Sequence, residues 1–151
     1  INNDVQLIWQ TGKSGFATAQ ELVNTLGHPY IKVYDFISKM DFAYASATAV
    51  VSRAGASSVS ELAIAGKASI LVPSPNVAED HQTKNAMALT KRDAAILVSD
   101  KDAGNQLVKE ALSLISSNEK ISLLQHSIAK MALRGASTII ASEVCRLAEG
   151  K

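Results

Sequence analysis

The chain has 151 residues, 47% hydrophobic, 5% aromatic and 19% charged, with a net charge of +1. That length buries one sizeable core and is too short for two ordinary domains. The near-zero charge, with lysines and arginines scattered rather than striped, argues against a nucleic-acid partner, and no apolar run reaches the ~18 residues that a transmembrane segment needs.

The predicted elements alternate between strand and helix. Val5–Gln10 reads as a strand, and the turn Thr11-Gly12-Lys13-Ser14-Gly15 leads into a helix that ends near Leu26. Gly27-His28-Pro29 stops that helix, because proline cannot continue it and disfavours helix at His28. Ile31–Phe36 is the second strand and Ser38–Ser46 a short helix. Ala49–Ser52 is the third strand, followed by a helix over Ser58–Ala65 with Gly66 as its stop. Ser69–Val72 is the fourth strand, Asp80 caps a helix to about Lys91, and Ala95–Val98 is the fifth strand. The remainder is helical over Ala103–Ser117, Glu119–Leu133 and Ser137–Glu149, with Gly135 breaking the last two. Short apolar strands separated by helices indicate an α/β fold, a doubly wound parallel sheet buried on both faces. The single cysteine, Cys145, lies among apolar residues of a helical pattern and is expected to be a buried thiol. Residues 1–151 read as one domain. The start at Ile1, with a strand pattern almost at once, reads as a piece of a longer polypeptide.

Ligands bind such sheets at the carboxyl ends of the strands. The loops there are Thr11–Gly15, Phe36–Ser38, Arg53–Ser58 and Ser74–Asp80, and polar and glycine residues are concentrated in them. Gly12-Lys13-Ser14 ends like a P-loop, but Leu7 stands where that motif needs its first glycine, so a Walker site is excluded. Val50-Val51-Ser52 followed by Ala54-Gly55-Ala56 has the strand, turn and helix-start order that aims free N–H groups and a helix dipole at one spot, suited to a phosphate. Ser58 and Glu61 have the spacing of a capping box, which competes with a second use of Glu61, as an acceptor for a pair of ribose hydroxyls. Small residues at Ala54, Gly55 and Ala56 let another molecule approach the backbone, which favours the ligand reading. His81, Gln82 and Asn85 share one face of the next helix start, where amides can read sugar hydroxyls or form a plain solvated face. The three histidines lack ligand spacing, so no metal is expected, and no serine sits in a nucleophile elbow.

Several motifs in order, Trp9-Gln-Thr-Gly-Lys13, Phe36-Ile-x-x-Met40, Ser52-Arg-Ala-Gly-Ala-x-x-Val-Ser-Glu61, Ala65-Gly66, Leu71-Val72-Pro73 and Asp80-His-Gln-Thr-x-Asn-Ala86, span nearly the whole chain. Together they resemble the C-terminal domain of the MurG family of bacterial glycosyltransferases. That family moves N-acetylglucosamine from UDP-GlcNAc onto undecaprenyl-pyrophosphoryl-muramoyl-pentapeptide, lipid I to lipid II, in peptidoglycan synthesis. The resemblance implies a Rossmann-like C-terminal half of a GT-B-type fold that binds the donor, here lacking its first strand. It implies Thr11 beside the diphosphate, Phe36 and Ile37 flanking uracil with the Ile37 backbone on its edge, and Arg53 near base and phosphates. Gly55, Ala56, Ser57 and Ser58 would meet the diphosphate, Glu61 the ribose, and His81, Gln82 and Asn85 the N-acetylglucosamine. Ser57-Ser58 replaces the Leu-Thr common in the family, and His81 a glutamine of some members. No catalytic residue is expected in this chain, because the general base and the lipid-linked acceptor site belong to the N-terminal domain of the family. The fragment alone is therefore expected to be inactive, and no cofactor is expected. The whole enzyme would be cytoplasmic, peripheral on the inner face of the membrane. Two other classes stay open: another UDP-sugar transferase or epimerase, and a non-catalytic α/β ligand-binding module.

Overall fold

A strand pairs with its neighbour through backbone groups, but its burial depends on what covers each face, and the chain shows both outcomes. The computed structural model describes residues 5–75 and 80–150. These form β1 (Leu7–Gln10), α1 (Lys13–Leu26), β2 (Ile31–Tyr34), α2 (Met40–Ser46), β3 (Val50–Ser52), α3 (Ala56–Ala65), β4 (Ser69–Leu71), α4 (His81–Thr90), β5 (Ile96–Leu97), α5 (Asp100–Ile115), α6 (Asn118–Ala129) and α7 (Ala136–Ala148). All strand pairs are parallel. The order and type of elements match the sequence reading throughout, and only their ends move.

The elements fall into two compact units, residues 1–46 and 47–151. In the first, β1 and β2 form a two-stranded sheet with Leu7 opposite Ile31 and Gln10 opposite Tyr34. Ala19 and Val23 of α1 and Ile31 of β2 are its buried apolar residues. β1 departs from the expectation of a strand buried on both faces, because Leu7, Ile8 and Trp9 are all exposed. Within this unit β1 pairs, among the described residues, along one edge only, with β2, and its side chains are exposed.

The second unit holds a three-stranded sheet in the order β3-β4-β5. Strands expected in one sheet thus lie in two among the described residues. β4 is central, and Ser69, Ile70 and Leu71 are buried without exception. Side chains alternate across a strand, so Ala68, Ile70 and Val72 share one face and Ser69 and Leu71 the other. The first face packs with Val98, Leu114, Ile121 and Leu124, which places α5 and α6 over it. Full burial of Ser69 and Leu71 shows that the opposite face is covered as well.

Four local expectations are corrected. α3 begins at Ala56 with Gly55 as its N-cap, and Val59 N–H donates to the Gly55 carbonyl at 2.9 Å. Ser58 is therefore the third helical residue rather than a cap, and the Ser58–Glu61 capping box does not exist. Asp80 precedes α4 with φ of 54° and makes no side-chain cap bond, so its carboxylate does not start that helix. Cys145 is exposed, because α7 contains no buried residue and offers the thiol no apolar cover. α5 starts at Asp100, ahead of the expected Ala103, since acidic Asp100 and Asp102 suit the positive end of a helix before its apolar period begins. Gly66 ends α3 as expected: at φ of 61° its N–H donates to the Ala63 carbonyl and that of Lys67 to Leu62, a Schellman closure.

Candidate functional site

The N-terminus of α3 follows from how β3 ends. Val50–Ser52 pairs with β4 as far as the bond from Val72 N–H to the Ser52 carbonyl at 2.9 Å, and the chain then leaves the sheet through Arg53, Ala54 and Gly55. Gly55 is extended at φ −64° and ψ 150°, which aligns the first helical turn without a left-handed residue. The N–H groups of Ala56, Ser57 and Ser58 precede the first intrahelical bond and donate to nothing among the described residues. No acidic side chain occupies that first turn. Three undonated N–H groups and the partial positive charge of the helix end thus meet at one place, with Ala56 and Ser57 exposed. A Cβ at Gly55 would meet only Ser58 Oγ, at 3.8 Å, so the protein itself does not require glycine there. What the glycine preserves is open space over the backbone. This is an arrangement that can hold a phosphate or diphosphate.

Glu61 is exposed on α3, at the sixth helical position counted from Ala56. With the capping box gone, its competing use as a reciprocal cap to Ser58 goes too.

Arg53 lies at the carboxyl end of β3, and its guanidinium is already engaged. Nη1 donates to the carbonyls of Val72 (3.2 Å) and Pro73 (3.4 Å) and pairs with Asp100 Oδ1 at 2.5 Å. It therefore ties the ends of β3 and β4 to the first residue of α5. Nothing in its local sequence pointed to Asp100, which lies 47 residues away.

His81, Gln82 and Asn85 all lie in the first turns of α4. The amide oxygen of Gln82 accepts from Ala54 N–H at 3.3 Å and from Ser74 N–H at 2.9 Å. Asn85 Nδ2 donates to the Ala54 carbonyl at 3.0 Å. These two residues are thus brought against the turn that precedes α3, while His81 is exposed. The expected loop Ser74–Asp80 includes residues 76–79, which lie outside the described residues.

In the first unit, Thr11 follows β1. Its hydroxyl donates to the carbonyls of Gly12 at 2.9 Å and Tyr34 at 3.3 Å, which turns its proton toward the backbone and leaves oxygen lone pairs as acceptors. Phe36 is 67% exposed, an unusual placement for a phenylalanine with no assigned partner surface. It lines a cleft of about 320 Å³ together with Ile8, Tyr34, Ile37 and Phe42, near the lower end of the range for small-molecule sites. Ile37 N–H donates to Gln10 Oε1 at 2.7 Å. Gln10 carries no expected role in the sequence reading: it stands in the Trp9–Lys13 motif, but its partner is 27 residues away. Another cleft, of about 450 Å³ between Arg92 and Lys130, lies at the far end of α4 from these amides. No group of three or more His, Cys, Asp or Glu side chains able to hold a metal ion occurs among the described residues.

Comparison with known proteins adds an independent line. The model of the glycosyltransferase family 28 C-terminal domain matches residues 1–141. The UDP-N-acetylglucosamine--N-acetylmuramyl-(pentapeptide) pyrophosphoryl-undecaprenol N-acetylglucosamine transferase of Bacteroides fragilis is 52% identical over 147 residues, 97% of this chain and 39% of that protein. The transferase of the same name from Parabacteroides distasonis is 45% identical over 149 residues, 99% of this chain and 40% of that protein. The chain thus spans about 40% of the length of the curated relatives that it matches. Among solved structures, Acinetobacter baumannii MurG superposes with a TM-score of 0.81 at 26% identity, over 95% of this chain and 42% of that one. The glycotransferase of kitacinnamycin superposes at 0.59 with 15% identity, over 94% of this chain and 44% of that one, a likeness of fold alone. The MurG match and the parallel strands joined by helices identify the Rossmann-like C-terminal half of a GT-B fold. On sequence and on fold, this chain belongs to glycosyltransferase family 28 and corresponds to its C-terminal domain.

Proposed function

We propose that residues 1–151 form a single donor-binding domain of an inverting N-acetylglucosaminyltransferase that uses UDP-GlcNAc and a lipid-linked muramoyl-pentapeptide acceptor. The observation that carries this reading is the α3 N-terminus, with undonated N–H groups at Ala56, Ser57 and Ser58 and open backbone at Gly55. The names of the close relatives supply the donor and acceptor classes.

In this reading the diphosphate lies over Gly55–Ser58 and Glu61 accepts from the ribose hydroxyls. Gln82 and Asn85 hold the sugar, with His81 beside it. Arg53 contributes positive charge near the diphosphate while fixed by Asp100. For the first unit, Thr11 offers its hydroxyl oxygen to phosphate and Phe36 with Ile37 receives the uracil. The base would take the Ile37 N–H from Gln10 or use the carbonyl of the same residue.

Transfer forms a bond between an acceptor hydroxyl oxygen and the anomeric carbon, on the face opposite the leaving group. The bond from that carbon to the diphosphate oxygen breaks, and its electron pair leaves with UDP. The hydroxyl proton passes to a base in the acceptor-binding part of the enzyme. Negative charge grows on the diphosphate as the bond breaks, and preorganised N–H donors at the start of α3 stabilise it without reorganisation. Residues 1–151 alone are expected to bind donor without transferring sugar. The enzyme would act at the inner face of the cell membrane, where a lipid-linked acceptor presents its head group. Among the described residues no helix is long and apolar enough to cross a membrane.

The decisive experiment is calorimetric titration of UDP into the full-length protein and its Glu61→Ala variant. Loss of two carboxylate-accepted hydroxyl bonds is expected to weaken UDP by about tenfold or more, since hydrogen bonds to a charged group are each worth roughly 1.5–3 kcal/mol. Equal affinity, with an unchanged melting temperature, would remove Glu61 from the site. Failure of any uridine nucleotide to raise the wild-type melting temperature would overturn the donor reading as a whole.

A further inference from the structure

The amides that the donor reading gives to the sugar are already in use, and the use is specific. Ala54 is fully buried, and both of its backbone polar groups are satisfied by side chains of α4 rather than by the sheet. Its N–H donates to Gln82 Oε1 and its carbonyl accepts from Asn85 Nδ2. The same Gln82 oxygen takes Ser74 N–H, which fills both lone pairs of that carbonyl. One side-chain oxygen therefore joins the loop after β3 to the loop after β4.

We infer that Gln82 and Asn85 are positioning residues of the nucleotide cradle, which set the Ala54-Gly55 turn and so couple sugar recognition to diphosphate recognition; this rests on the donor-site reading above. Ala54 immediately precedes Gly55, the N-cap whose extended conformation aligns the donors of Ala56, Ser57 and Ser58. Holding the Ala54 peptide at both ends fixes the direction in which the chain enters α3. The same bonds fix the rotation of each amide. Gln82 must face the two N–H groups with its oxygen, and Asn85 must face the Ala54 carbonyl with its nitrogen. Gln82 Nε2 and Asn85 Oδ1 make no hydrogen bond among the described residues. One donor beside one acceptor complements a hydroxyl, which accepts and donates at once. A sugar hydroxyl bound there pulls on amides whose other atoms hold the turn beneath the diphosphate.

A residue that only reads the N-acetylglucosamine would not affect UDP, which lacks that group. Affinities for UDP and UDP-GlcNAc are therefore measured on the full-length protein and on Gln82→Met, with hydrogen exchange followed at the Ala54 and Ser74 amides. Gln82→Met is expected to weaken UDP itself by about tenfold and UDP-GlcNAc by at least that factor, with faster exchange at both amides. Gln82→Glu keeps an accepting oxygen and is expected to restore the slow exchange. Unchanged UDP affinity in Gln82→Met, with the loss confined to UDP-GlcNAc, would overturn the inference and leave a pure sugar contact. If Gln82→Met does not fold, Asn85→Leu cuts only the bond to the Ala54 carbonyl and the same comparison applies: weaker UDP supports the positioning role, and equal UDP affinity overturns it. A wild-type protein that binds no UDP overturns the donor reading and this inference together, and needs no variant to be recognised.

Discussion

Gly55 separates two reasons for which a protein places glycine at a helix start. Its φ of −64° is open to any residue, and an added Cβ would meet nothing closer than Ser58 Oγ at 3.8 Å. Gly55→Ala is therefore expected to leave stability within about 0.5 kcal/mol, or to raise it slightly by restricting the unfolded chain. The same methyl would stand over the N–H groups where the diphosphate is proposed to lie, and UDP binding is expected to fall by about tenfold or more. A melting curve with a UDP titration checks both halves; full UDP affinity in the alanine variant would mean that nothing approaches that backbone. Ser69 presents the opposite situation. It is fully buried in β4, and its Oγ has no hydrogen-bond partner among the described residues. A buried hydroxyl without a partner costs about 1–3 kcal/mol relative to one that has a partner. Ser69→Ala is accordingly expected to raise stability by about 1 kcal/mol in denaturant unfolding, where a bonded serine would give a loss of similar size.

At the scale of elements, α3 shows where sequence reading succeeds and where it stops. Its C-terminus was legible, because a glycine after an apolar-periodic run has one common structural meaning. Gly66 takes the left-handed conformation and closes the helix. Gly66→Ala places a side chain at φ of 61° with no clash against Ala129 Cβ at 3.9 Å, so only backbone strain is added. The expected loss is about 1–2 kcal/mol, read as a lower denaturant midpoint with an unchanged slope. The N-terminus was misread. Ser58-x-x-Glu61 has the spacing of a capping box, yet Gly55 also serves as an N-cap and nothing at Ala56 or Ser57 opposes helix. Local propensity cannot rank two competent starts two or three residues apart. The end of β3 and the bonds from Gln82 and Asn85 to Ala54 select the earlier one. That shift has a functional consequence, because it brings Ala56 and Ser57 into the first turn, where their N–H groups join that of Ser58 as donors.

Across the whole molecule, the second unit carries the better-covered core. Leu114 is fully buried against Ile70, Val72 and Leu124, and Leu114→Ala is expected to cost about 2–5 kcal/mol in chemical unfolding. Ile140 of α7 is 63% exposed, and its alanine variant is expected to stay within about 0.5 kcal/mol, so the pair calibrates how much of the stability resides in the packed sheet. The amino-acid sequence by itself determined the succession of elements, the parallel α/β class, the glycine stops and the family. Each of these depends on composition, on periodicity within a few residues or on motifs in order, all of which survive in a linear string. It also located the loops at which the candidate site residues lie, because ligands gather at strand ends in such sheets. Tertiary structure alone decided the rest. It left β1 exposed and Cys145 uncovered, grouped the strands into two sheets, and matched Gln82 with Ala54, Asn85 with Ala54, Arg53 with Asp100 and Gln10 with Ile37. Those partners are 27–47 residues apart, far beyond the reach of local preferences. Which amide faces which peptide depends on where neighbouring strands end in space, and only the folded chain fixes that distance.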